Sequence, residues 1–213
     1  MTTKRGALLV LEGCDRAGKS TQVQKLVTEL NARGISAEVR RFPDRTTEVG
    51  KIIDKYLSRV VDLPPETVHL LFSSNRWEKY TEMRKTILSG TTLVVDRYAA
   101  SGAAYTAATT GKDLSWCKEP DRGLAKPDLV ALLEISEDVQ ASRANWGSER
   151  FERSELQQKV SSSLHQLMDE SWVTVDANDD IDKVHAKLLA LALSAIEMVK
   201  DKPLGELYDS KPL

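Results

Sequence analysis

One octapeptide near the N-terminus constrains this chain more than any other feature. Gly13-Cys14-Asp15-Arg16-Ala17-Gly18-Lys19-Ser20 fits G-x-x-x-x-G-K-[ST] in full. It follows a short apolar run at residues 7–11 and leads into an amphipathic run at 22–33, so it reads as the turn from a buried strand into a helix. Gly13 and Gly18 allow backbone N–H groups to curl around phosphate oxygens, and the N-terminus of the following helix adds positive potential. Lys19 reaches between phosphates, and the Ser20 hydroxyl can ligate a magnesium ion that arrives with them. The loop predicts binding of a nucleoside triphosphate and leaves open whether the chain is a switch, a motor or a kinase.

The rest of the chain alternates strand and helix in the same way. Apolar or β-branched runs at 35–42, 91–95, 128–135 and 172–175 read as strands, and amphipathic runs at 64–89, 99–109, 137–144, 154–170 and 181–199 as helices. This pattern predicts an α/β fold, a five-stranded parallel sheet flanked by helices on both faces. The 213 residues, 41% apolar and 29% charged, suit one domain spanning 1–213, with no repeat and no clear linker. The tail at 203–213 has little periodicity and is expected to be partly disordered. The longest apolar stretch, 188–196, falls short of the ~20 residues a bilayer requires, and no signal peptide is legible at the start. A formal net charge of −2 gives no general attraction to nucleic acid or anionic lipid, so neither is expected as a partner. Cys14 and Cys117 are far apart and lack metal-site spacing, which suits reduced thiols and a cytoplasmic or nuclear location. His69, His165 and His185 read as structural or exposed.

In an open parallel sheet the ligand crevice lies beyond the C-terminal ends of the strands. The second strand ends in Phe42-Pro43-Asp44-Arg45 and the third in Asp96-Arg97-Tyr98. Asp96 suits the acidic position that helps hold magnesium, usually through water. Arg45 and Arg97 exceed what a triphosphate cradle needs and point to a second ligand that carries its own phosphate. Phe72 and Arg76 lie four residues apart on one helix face, where a ring can stack on a planar base and a guanidinium can donate to its edge. A GTPase switch would read guanine with N-K-x-D after a strand. Ala125-Lys126-Pro127-Asp128 lacks the Asn and precedes its strand.

Residues 13–21, Arg41-Phe42-Pro43-Asp44-Arg45, Asp96-Arg97-Tyr98 with Ser101-Gly102, and Pro120-Asp121 through Lys126-Pro127-Asp128 together resemble the eukaryotic type of thymidylate kinase, over about 7–199. The resemblance implies a P-loop nucleoside monophosphate kinase fold with a short lid, homodimers, and transfer of a phosphoryl group from ATP with Mg2+ to dTMP. It implies that Asp15 receives the sugar 3′-hydroxyl, Arg45 and Arg97 hold the acceptor phosphate, Phe72 stacks on thymine, Arg76 reaches thymine O4 and Tyr105 crowds the 2′ position. Phe42, Ser101, Gly102 and Phe151 join them in the dTMP site. Gly13, Arg16, Ala17, Gly18, Lys19, Ser20, Thr21 and Arg143 fall to ATP, and Ser20 with Asp96 to magnesium. Asp15, Arg16, Lys19 and Arg97 form the catalytic set, in which the loop arginine meets charge that shifts between two phosphates. Residues 143–153 resemble the mobile lid over ATP. There Glu149-Arg150-Phe151 stands where the family commonly has tyrosine after Glu-Arg, so one hydroxyl is missing.

Overall fold

The computed structural model describes residues 4–142 and 149–209. Five parallel strands, β1 (Leu8–Glu12), β2 (Ala37–Arg41), β3 (Thr92–Asp96), β4 (Leu129–Glu134) and β5 (Trp172–Asp176), form a sheet in the order β2-β3-β1-β4-β5. Helices α1 (Lys19–Ala32), α2 (Glu48–Leu57), α3 (Pro65–Leu88), α4 (Ala99–Thr110), α5 (Leu114–Lys118), α6 (Glu137–Ser142), α7 (Ser154–Gln166) and α8 (Ile181–Val199) pack around it. Successive side chains of β1 point to opposite faces, and both faces are covered, which is why the strand reads as an unbroken apolar run. Leu9 and Leu11 pack with Leu26 of α1 and Leu188 of α8, whereas Leu8 and Val10 pack with Met83 and Ile87 of α3. Each such leucine, fully buried, contributes about 1.5–3 kcal/mol.

Register then places the chemistry. Leu11 of β1 and Arg41 of β2 both pair with Asp96 of β3, so three strands end level. The phosphate-loop residues, the 42–47 segment and Arg97 therefore leave from one edge of the sheet. The 42–47 segment is held there by Asn75, which accepts from the Asp44 N–H at 2.7 Å and donates to the Asp44 carbonyl at 3.1 Å.

Three helices depart from the sequence expectation: the pattern predicts neither α2 nor α5, and α7 ends early. Helix α2 is illegible in the pattern because its buried face is Gly50, Ile53 and Leu57. The glycine is obligatory: a Cβ at position 50 would lie 1.8 Å from the Asp44 carbonyl oxygen. Helix α7 stops at Gln166 rather than 170, because Asp169 turns the chain into β5 by accepting from the Ser171 N–H and hydroxyl. Within the tail segment, Leu204, Leu207 and Tyr208 pack against the core. Leu207 is buried and Glu206 bridges antiparallel to Ala125, while 210–213 lie outside the described residues.

Candidate active site

Helix α1 starts at Lys19 directly from the loop, and its N-cap, Gly18, offers no side-chain acceptor. The first N–H groups of the helix are thus left for a ligand. Lys19 is buried, and its Nζ donates to the Cys14 carbonyl at 2.7 Å. Burial, and then the nearby Arg97 guanidinium, pull its ammonium down to about 8 from 10.5. Burial also pushes the Cys14 thiol up, which keeps it protonated. The Ser20 hydroxyl donates to Asp96 Oδ2 at 2.5 Å, and Asp96 is itself buried. Arg16 sits at φ +68°, with Nη2 donating to Glu152 Oε1 at 3.0 Å. Arg16, Lys19, Ser20, Asp96 and Glu152, with Ala17, Gly18 and Thr21, line a cavity of about 500 Å³ that Ile181 and Val184 of α8 also border.

A second, smaller cavity of about 150 Å³ opens between α3 and α4 and is lined by Phe42, Val68, Phe72, Tyr105 and Phe151 among others. Phe72 is half-buried there, outside the hydrophobic clusters. Phe42 also belongs to the core, where its ring meets Tyr98 at 5.7 Å. Arg76 forms the back wall. Its Nε and Nη2 grip Asp121 at 3.0 and 2.6 Å, with side-chain exposures of 2% and 0%. That fork leaves Nη1 for whatever fills the cavity. Gly102 permits the approach, since a Cβ there would lie 2.6 Å from Nη2. Arg45, at the mouth, is held between Asp54 and Glu149, each at 2.7 Å. Tyr105 meets Phe151 at a tilt of 44°, with ring centroids 5.4 Å apart.

The two cavities meet. Asp15, Arg41, Arg97 and Glu149 line both. Arg97, at φ +65°, donates to Asp15 Oδ1 at 2.5 Å, to the Gly13 carbonyl at 3.1 Å and to the Ser101 hydroxyl at 3.1 Å. Burial works to raise the Asp15 pKa, but Arg97 and Lys19 outweigh it and hold the carboxylate below its ordinary range. The hydroxyl of Ser101 is taken up by this network rather than offered to the cavity.

Two positioning residues escaped the sequence reading. Glu12, fully buried, accepts from the Tyr98 and Ser101 N–H groups at 2.9 and 3.1 Å and from the Ser101 hydroxyl at 2.5 Å, which anchors the turn carrying Arg97. An acid ending an otherwise apolar strand was its only signal. Gln157 of α7 accepts from the Asp15 N–H at 2.8 Å and donates to Asp15 Oδ2 at 2.8 Å and to the Phe151 carbonyl at 2.9 Å. Nothing in the sequence marks it. Glu149 and Glu152, the partners of Arg45 and Arg16, were legible only as part of a polar segment. Arg143 lies outside the described residues. Among those residues no cluster of three or more His, Cys, Asp or Glu is arranged for a metal ion, and no helix is long and apolar enough to cross a membrane.

A phosphate loop that opens, past a carboxylate and an arginine, onto a narrow aromatic slot with a guanidinium behind it serves a triphosphate and a planar acceptor with its own phosphate. On this parallel sheet, that layout defines a P-loop nucleoside monophosphate kinase. A family model described as thymidylate kinase matches residues 11–188. The human thymidylate kinase is 48% identical over 211 residues, covering 98% of this chain and all of its own length. The Danio rerio thymidylate kinase is 46% identical over the same coverage. The solved structure of thymidylate kinase from Candida albicans superposes with a TM-score of 0.87 at 32% identity, covering 97% of this chain and all of that one. The chain belongs to the thymidylate kinase family.

Proposed function

We infer that this chain transfers the γ-phosphoryl group of ATP to dTMP, giving ADP and dTDP, with the site residues acting in the following roles. The observation that carries the assignment is the junction at Asp15 and Arg97, shared by a polyphosphate-sized charged cavity and a ring-sized aromatic one. Phosphoryl transfer asks for positioning and charge neutralisation, and the acceptor phosphate supplies the attacking oxygen. Lys19, Arg16 and the N–H groups of 13–21 bind the donor phosphates. Arg97 and Arg45 draw the acceptor phosphate into line, and Asp15 receives the 3′-hydroxyl. Phe72 stacks on thymine, Arg76 Nη1 donates to O4, and Tyr105, packed on Phe151, narrows the slot beside the sugar. Ser101 supports Arg97, and Gly102 makes room for Arg76. Residues 143–153 act as the lid of one domain that carries both cavities, with Arg143 on the ATP side.

Ser20 and Asp96 fit magnesium: two hard oxygens side by side at the loop suit an ion that keeps most of its waters and takes phosphate oxygens. When bound, the ion neutralises charge on the donor phosphates. A homodimer is supported by Leu70, Trp77 and Leu88, large apolar residues exposed along one side of α3. Two unpaired cysteines suit a cytoplasmic or nuclear enzyme. A coupled ADP-release assay over a panel of nucleosides and monophosphates tests the function. Turnover with dTMP and none with thymidine is expected; turnover with thymidine, or nucleotide hydrolysis indifferent to dTMP, would overturn it.

A further inference from the structure

The C-terminal segment is built into the wall behind the acceptor cavity. The Leu207 N–H donates to the Leu124 carbonyl at 2.6 Å, and the Leu207 carbonyl accepts from the Gly123 N–H at 3.0 Å. The Gly205 carbonyl accepts from the Lys126 N–H at 2.9 Å, and the Arg122 guanidinium donates to the Tyr208 carbonyl. All four contacts fall on residues 122–126. The segment is also secured where it begins: Arg5, in a forked pair with Asp128, donates to the Lys202 carbonyl at 2.7 Å.

The turn so clasped begins at Asp121. The Asp121 carbonyl accepts from the Leu124 N–H at 3.2 Å, and the chain reverses through Gly123 at φ +91°. The carboxylate of the same residue holds the Arg76 fork and accepts from the Ser73 hydroxyl at 2.7 Å. Leu124, fully buried, packs with Leu207, Tyr98 and Phe42 in one cluster. Loss of the 204–208 segment would leave the Gly123 and Lys126 N–H groups and the Leu124 carbonyl without their partners and would uncover Leu124. A forked guanidinium discriminates between bases only if its orientation is fixed to about 0.5 Å.

We propose that residues 204–208, through Leu207, form a positioning element for base recognition: they fix the turn that carries Asp121 and so aim the Arg76 guanidinium at the edge of the acceptor base. The proposal rests on Arg76 as the base-reading donor.

Full-length Leu207→Ala is assayed with dTMP, dCMP and ATP. The KM for dTMP should rise about tenfold, the KM for ATP should stay within about twofold, and the preference for dTMP over dCMP should fall about fivefold or more, with Leu207→Ile restoring most of it. Equal rises in both KM values, or an unchanged preference, would overturn the proposal. Amide exchange in the unmodified enzyme gives a second test that does not depend on the variant folding. Coupling is reciprocal, so dTMP should slow exchange at Gly123, Lys126 and Leu207 while ATP alone should not; no slowing with dTMP overturns the proposal. Arg76→Lys separates the two levels. If it keeps the dTMP preference, the base-reading role fails and the proposal with it. If the preference is lost there but intact in Leu207→Ala, only the role of the tail fails.

Discussion

The two cavities that meet at Asp15 and Arg97 recognise their ligands by opposite physical means. The donor cavity, about 500 Å³, sets the phosphate loop and charged side chains opposite Ile181 and Val184, and its hold on a chain of phosphates is chiefly electrostatic. The acceptor cavity, about 150 Å³, presents Phe42, Phe72, Tyr105 and Phe151 to a planar ring, and behind them stands the Arg76 guanidinium, locked in a buried ion pair. Charge recognition tolerates a roomy site, because coulombic attraction falls off slowly with distance. Shape recognition does not, because stacking decays within an ångström of misfit. The division implies that substitutions should sort by substrate: donor-side changes should act on the transferring charge and on ATP, acceptor-side changes on dTMP.

Lys19→Ala should produce the largest effect. Removing one preorganised cation from the transferring phosphate costs about 3–4 kcal/mol, or two to three orders of magnitude in kcat. The fold should survive, since burial disfavours the Lys19 charge in the ligand-free protein. Near-normal kcat in the folded variant would break the donor assignment. Arg16→Gly should follow, with kcat down roughly ten- to a thousandfold and smaller changes in either KM. Glycine adopts the +68° φ of this position without strain, so the loss reports the guanidinium and not the shape of the loop. Single-turnover kinetics decide: an unchanged chemical step would place Arg16 outside the reaction.

Phe72→Ala probes the other side. Loss of a stacked ring is worth about 1–1.5 kcal/mol, roughly a tenfold rise in the KM for dTMP with the KM for ATP unmoved. Stability should change little, because Phe72 is only half-buried and joins no hydrophobic cluster. Equal effects on both substrates would erase the division.

The same division explains what was legible in the sequence. Electrostatic cradling by backbone requires consecutive residues, so the donor site stands as one string at 13–20. The strands followed from their apolar runs, and level strand ends followed from a parallel sheet. The acceptor site is assembled from four distant stretches of chain, with Phe42 after β2, Phe72 on α3, Gly102 and Tyr105 on α4, and Phe151 before α7, and only the four-residue spacing of Phe72 and Arg76 and the family resemblance brought it out. Gln157 and Leu207 stayed hidden because each works through backbone atoms or through another residue's carboxylate, contacts that leave no periodicity. Helix α2 stayed hidden behind a glycine that the Asp44 carbonyl demands.

A pH profile sharpens the comparison without any substitution. In the ligand-free enzyme Lys19 loses its proton at about 8, and the neutral amine no longer attracts phosphate. The kcat/KM for ATP should therefore fall as pH rises through about 8, approaching tenfold per unit, whereas kcat should hold further into alkali because bound triphosphate keeps the proton on. On the acceptor side Asp15 is held below the ordinary carboxylate range, and burial pushes the Tyr105 phenol up. With ATP saturating, kcat/KM for dTMP should thus be level over about pH 7–9. Unfolding is not the cause of the fall: the unfolded chain binds more protons at Lys19 between about 8 and 10.5, so this group adds stability as pH rises across that window. A parallel decline for both substrates would show that one titrating group serves both cavities.

The smallest effect belongs to Phe151, which tests where the boundary runs. Its segment resembles a lid over ATP, and its neighbours Glu149 and Glu152 do line the donor cavity, yet the Phe151 ring lines the acceptor cavity between Tyr56 and Tyr105 at centroid distances of 6.1 and 5.4 Å. The ring is half-buried and its carbonyl is tied to Gln157, so the backbone is fixed while the ring edge has room. Phe151→Tyr should therefore fold normally and add at most one hydrogen bond, about 1 kcal/mol, or up to about fivefold in the KM for dTMP. The KM for ATP should not move, although the residue sits in the lid segment. A shift confined to ATP would instead assign the ring to the donor side. Residues 149–153 would then act as one electrostatic unit, and the line between charge recognition and shape recognition would fall at Tyr105.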